Sequence, residues 1–117
     1  MKTYRKGTGV RYTPFNHYGM TTQVIFNPDT GSKHVNVTLS TIMPGEGSFD
    51  EVHENSDQIF IVVEGEMTVM ANGQFIDKLN EGDALLVNSG DVHAIINKSN
   101  RVCSYVAITA PPLEKTH

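Results

Sequence analysis

Short runs of alternating or β-branched residues, punctuated by glycine, proline and asparagine, fill almost the whole chain. Residues 22–26 read as a short strand closed by Asn27-Pro28-Asp29-Thr30-Gly31, a set of turn formers. Residues 34–42 alternate, which places Val35, Val37 and Leu39 on one face and Asn36, Thr38 and Ser40 on the other. Pro44-Gly45-Glu46-Gly47 is expected to break that strand. Residues 58–63 are dense in β-branched side chains, and Glu64-Gly65-Glu66 turns into a further strand at 67–70. Asn72-Gly73 is the strongest hairpin signal, because both turn positions need positive φ; residues 74–79 return from it. After Glu81-Gly82-Asp83, strands are expected at 84–87, 92–97 and 102–109, and Pro111-Pro112 ends the last, since proline cannot donate to a ladder.

No segment carries the 3.6-residue period of a helix, and many short strands with frequent turns predict an all-β sandwich or barrel. There is no internal repeat and no linker. Residues 1–20, with Tyr4, Tyr12, Phe15 and Tyr18, are polar-aromatic and are expected to form an N-terminal arm or edge strand, or to pack on a partner subunit; residues 21–117 form the barrel domain.

Composition narrows the chemistry. A chain of 117 residues makes one domain that buries roughly two thirds of its unfolded surface. Its one cysteine, Cys103, lies in an apolar run and reads as a small buried thiol. Nine basic against thirteen acidic side chains give a formal charge of −4, with the basic residues scattered, which argues against nucleic acid. No apolar signal core follows the basic start and no stretch reaches membrane-span length, so no membrane association is expected and the cytoplasm is the expected compartment. There is no Gly-x-Ser-x-Gly elbow and no glycine-rich phosphate loop. Glu64 and Glu66 bracket Gly65 as two solvated charges.

Two histidines stand apart from this background. His53 and His93 each lie beside an apolar, β-branched run bounded by glycines, and a folded-over sheet can bring them to one metal ion. His53 and Asn55 share a face on an extended strand, whereas Gln58 has the opposite parity and needs a bend between Asn55 and Gln58 to join them. With Gln58 inward, Phe60 and Val62 face the same cavity; on the other run His93, Ile95 and Asn97 share a face. Asn97 reads as structural, fixing a turn. His17, His34 and His117 have no partner at ligand spacing and read as surface residues; Met43, Met67 and Met70 read as core filling or pocket lining.

The two segments resemble the paired motifs of the cupin family. The first, Gly47-x5-His53-x-Asn55-x2-Gln58-x6-Gly65, keeps both glycines and the leading histidine but has Asn55 for the second histidine and Gln58 for the glutamate, and is one residue shorter. The second, Gly82-x5-Asn88-x-Gly90-x2-His93-x3-Asn97, departs only in Asn88 for proline. The resemblance implies a jelly-roll barrel (a double-stranded β-helix) holding a divalent metal through His53, Gln58 and His93, with Asn55, Asp57 or Glu54 as further donors. Phe60, Val62, Met67 and Ile95 are the expected pocket wall. Zinc, nickel, iron and manganese all suit imidazole with oxygen donors. Small cupins include isomerases, lyases, decarboxylases and dioxygenases. The expectation is therefore a metal-dependent cupin acting on or binding a small oxygen-rich molecule: a sugar acid, keto acid or phenolic. The departures in the first motif leave open a non-catalytic small-molecule binder with a degraded metal site. The aromatic arm and outer apolar residues leave open a purely structural dimer subunit. A homodimer is expected under all three.

Overall fold

A computed structural model of the chain describes residues 1–113; His117 lies outside them. Nine strands run in the order β1 (Arg11–Tyr12), β2 (His17–Phe26), β3 (Asn36–Ser48), β4 (Asp57–Glu64), β5 (Met67–Ala71), β6 (Gln74–Leu79), β7 (Ala84–Val87), β8 (Ala94–Ile96) and β9 (Cys103–Ala110). They form one continuous sheet in the order β6-β5-β8-β3-β9-β4-β7, with β2 also paired to β3 and β1 to β2. All pairings are antiparallel. Rolled up, this sheet makes a jelly-roll barrel, all-β as its turn-rich sequence predicts.

β3 is the hinge of the architecture. Pro44-Gly45 does not end it. The chain bends there, with Gly45 at φ 81°, and one strand pairs with β9 through residues 36–42 and then with β8 at Gly47. Gly47 is needed for that crossing, because a Cβ would sit 2.1 Å from the carbonyl oxygen of Ile95. β2 is longer than residues 22–26 suggest, because it follows β3 from His17↔Ser48 to Phe26↔Val37. The expected turn at 27–31 is a capped 3-10 turn, Pro28–Thr30, in which the Asn27 side chain accepts from the Thr30 amide. Asn72 and Gly73 both have positive φ, as their hairpin requires.

The core gathers Met20, Ile42, Phe60, Val62, Met67, Val69, Ile95, Cys103 and Tyr105 among others. The alternation of β3 places its polar members inside: Thr38 and Ser40 are buried, the latter hydrogen-bonded to Thr22 across the barrel wall, while Val37 and Leu39 are only partly covered. Polar residues therefore line part of the lumen, and apolar ones lie on the outside.

Candidate metal centre

The site is built where the chain leaves β3. Glu51 and His93 form an isolated antiparallel bridge whose amides donate to each other's carbonyls at 2.8 and 2.9 Å. Directly opposed residues of such a pair present their side chains to the same side of the sheet. His53 follows two residues after Glu51, and its carbonyl accepts from the amide of Gly90 at 3.0 Å. Gly90 sits at φ 87°, a left-handed conformation that tightens the turn delivering His93. Both histidines are buried, their ring centroids 5.5 Å apart.

Glu51, His53 and His93 each offer a donor atom, and those atoms lie within 4.8 Å of one another. The His93 Nδ1 lies 3.1 Å from the carbonyl of Asp91, so that Nδ1–H donates there and Nε2 keeps its lone pair for the site. Burial holds the His93 imidazole below its usual range, against the opposing pull of the Asp91 carbonyl and the carboxylates of Asp91 and Asp50. Burial also pushes the Glu51 carboxyl up to about 7. A cation at the centre would relieve that cost, since a buried carboxylate is stabilised by a facing positive charge.

A bend does form after His53, at Glu54-Asn55, and it turns Gln58 inward at the start of β4. Gln58 is buried against the same cavity. Its Nε2 donates to Thr109 Oγ1 at 3.0 Å, and its Oε1 is buried with no hydrogen-bond partner. An oxygen so placed is costly until something donates to it or coordinates it. Together with one carboxylate and two imidazoles, this donor set fits a divalent ion. Asn55 and Asp57 are brought no closer: both are exposed, and the Asp57 carboxylate accepts from the Ser89 amide at 2.8 Å. Glu54 is exposed as well.

The cavity beside these groups has a volume of about 80 Å³. Phe60 and Ile95 line it, with Tyr105 packed edge-on to Phe60 at 5.2 Å. Val62 and Met67 do not. Both are almost fully buried in the core, on strands whose inward side chains reach the packed apolar interior before the polar lumen. Tyr12, Pro14 and Phe15 of the N-terminal segment also line the cavity.

His17 is no surface residue. β2 carries it to the cavity, where its side chain is 11% exposed and its Nε2 lies 3.2 Å from Glu51 Oε1. Its Nδ1 meets the Phe15 carbonyl at 2.7 Å. Burial lowers its pKa, the Phe15 carbonyl opposes that, and the nearby His93 adds to it. Sequence reasoning missed Glu51, though its two-residue spacing from His53 was a usable signal. His17 had no local signal, because its place depends on the β2–β3 register. Asn97 is structural. It is fully buried, its amide donates to the Ile42 and Arg101 carbonyls at 3.0 and 2.6 Å, and its oxygen accepts from Ser99. Cys103 is a buried free thiol, pushed up to about 11 by burial and by the charges of Glu64 and Glu66.

A family model described as a cupin domain matches residues 38–109. Among curated proteins the chain is 34% identical over 86 residues to the uncharacterized protein YrkC of Bacillus subtilis (strain 168), covering 68% of this chain and 46% of the relative. The chain thus spans about half the length of that relative. Among solved structures it resembles KdgF from Halomonas sp., with a TM-score of 0.82 and 15% identity over 100% of this chain and 99% of that one. It also resembles the polyketide cyclase RemF from Streptomyces resistomycificus, with a TM-score of 0.81 and 17% identity over 99% and 89% of the two chains. At these identities the two structures speak for the fold alone. Among the described residues, no helix is long and apolar enough to cross a membrane.

Proposed function

Because the chain belongs to the cupin family, we propose that it holds one divalent metal ion in its barrel and acts there on a small oxygen-rich molecule. The convergence of Glu51, His53 and His93 beside a polar cavity carries this reading. These three residues would hold the ion, with Gln58 Oε1 as a fourth donor; the carboxylate missing from the family position at Gln58 is supplied by Glu51 instead. A bound ion would supply polarisation of a carbonyl or carboxylate oxygen.

The rest is the work of the chain's own residues. Phe60, Ile95 and Tyr105 wall the cavity, and Tyr12 and Phe15 of the arm line it as well. Thr38, Ser40 and Gln58 offer hydroxyl and amide groups to a substrate rich in oxygen. His17, whose Nδ1–H donates to the Phe15 carbonyl, keeps the Nε2 lone pair free next to Glu51 and can take a proton there from a neighbouring substrate oxygen or carbon. Sugar acids, keto acids and phenolics are the substrate classes such a site suits. The working unit is a homodimer, in the cytoplasm.

The test is metal content after purification without affinity-column nickel or chelator, followed by reconstitution with zinc, nickel, iron or manganese. One ion per chain, lost in Glu51→Ala and in His93→Ala while near-ultraviolet circular dichroism stays native, supports the proposal. No uptake of any of the four at neutral pH overturns it. The second reading, a non-catalytic binder, is favoured by the exposed Asn55 at the position of the family's second histidine. It predicts thermal stabilisation by small carboxylates that is indifferent to metal.

A further inference from the structure

β2 and β3 carry the lumen beyond the metal centre. Thr22 and Val24 share one face of β2, and Asn36, Thr38 and Ser40 share one face of β3. Thr22, Thr38 and Ser40 line the cavity of about 80 Å³, whereas Val24 lines a second, larger one. This chamber has a volume of about 800 Å³ and lies between the N-terminal arm, the end of β2 and the turn that follows it. Tyr12, Phe15, Asn36 and Leu113 line both spaces, so the two adjoin. The larger falls in the range of roughly 300–1,000 Å³ usual for small-molecule sites.

The make-up of the chamber selects its occupant. Tyr4, Val10, Val24 and Phe26 give it an apolar and aromatic wall. Polar side chains around it are largely engaged by the chain itself. Tyr4 Oη donates to Gln23 Oε1, Lys2 Nζ to the Thr30 carbonyl at 3.0 Å, and Thr8 Oγ1 to the Arg5 carbonyl at 2.7 Å. Asn36 differs. Its Oδ1 is buried with no hydrogen-bond partner, at the place where the two spaces meet. In register, Asn36 lies opposite Thr109 of β9, which lies opposite Gln58 of β4. Two strand spacings put Asn36 roughly 10 Å from Gln58 and the metal centre beside it.

We propose that the substrate is a two-ring phenol, with an oxygen-bearing head at the metal centre, a hydroxyl donated to Asn36 Oδ1 and its second ring in the chamber beside the arm. The proposal rests on the reading of the barrel cavity as the reaction site and deepens it by choosing one substrate class. A sugar acid carries hydroxyls on every side and would strand them against Tyr4, Val24 and Phe26. A short keto acid ends before it reaches Asn36. Two linked rings span the distance, and a flat ring buries much apolar surface against an aromatic wall.

Isothermal titration of the full chain, zinc-loaded and metal-free, tests this. The ligands are para-hydroxybenzoate, biphenyl carboxylate, the same biphenyl acid with a para hydroxyl on its far ring, and gluconate. The hydroxybiphenyl acid is expected to bind the zinc-loaded chain at least about tenfold tighter than para-hydroxybenzoate. It is expected to bind about three- to tenfold tighter than the biphenyl acid without its hydroxyl. Asn36→Leu should erase the second difference and keep the first. Val24→Phe, which narrows the chamber, should erase the first while leaving para-hydroxybenzoate unchanged. Tyr4→Ala removes a wall from the less buried arm and should lessen the first difference even where Val24→Phe fails to fold. Gluconate tighter than the hydroxybiphenyl acid, no gain from the second ring, or a gain that survives both chamber variants overturns the proposal and leaves the metal centre standing. Zinc not taken up, with both gains kept by the metal-free chain, overturns the metal centre and leaves the chamber standing.

Discussion

Glu51 is where stability and function pull apart. Its carboxyl is pushed up to about 7 in the fold from about 4.5, so the metal-free protein favours the protonated form. The stability associated with that proton is present below about 4.5 and is lost as pH rises through about 7. Metal-free Glu51→Gln is therefore expected to be more stable than the wild type at pH 8, by up to about 3 kcal/mol, and to melt at a higher temperature. The difference shrinks towards pH 5; a melting gap independent of pH between 5 and 8 contradicts this account. With metal present the order reverses, because the amide is a weaker donor than the carboxylate. Asn97→Ala is a different case. It strands the buried Ile42 carbonyl and releases the Arg101 carbonyl of the turn, and is expected to cost about 1–3 kcal/mol by denaturant unfolding, with the metal site itself untouched. A loss below 1 kcal/mol would show that Asn97 is not what holds its turn.

At the scale of elements, the crossing of β3 over β8 sets the site. Gly47→Ala would force a methyl against the Ile95 carbonyl and push apart the strands leading to His53 and His93. Metal affinity is expected to fall at least about tenfold, measured by competition with a chromophoric chelator, alongside a lower melting point. An unchanged affinity would mean that the bridge between Glu51 and His93 holds the donors without β3's help. Much of this level was legible in the sequence. Strand-forming residues and Asn72-Gly73 mark their own places, because turn chemistry is local. The parity of His93, Ile95 and Gln58 followed from the two-residue period. What alternation cannot say is which face of a strand is inside, and β3 took the less obvious choice, with Thr38 and Ser40 inward. For the same reason the pocket wall was only half readable: Phe60 and Ile95 reach it, Val62 and Met67 do not. His17 depended wholly on pairing with a strand some thirty residues away.

For the whole molecule, binding of the proposed ion would be linked to folding. A metal bound only by the native barrel at a hundred times its dissociation constant adds about 2.7 kcal/mol, which for a chain of this size raises the melting point by roughly 10 °C. Calorimetry with and without saturating ion checks this, and His93→Ala should abolish the shift. The cavity of about 80 Å³ is small beside most ligand sites, so it has room for a small molecule or for one end of a larger one.

The paired amides of Glu51 and His93 have a kinetic corollary. Each closes its hydrogen bond on the other, so neither can open alone, and deuterium should enter both at one shared rate. A fluctuation that frees one donor arm also frees the other. An ion held there would then lose Glu51 and His93 together rather than one after the other.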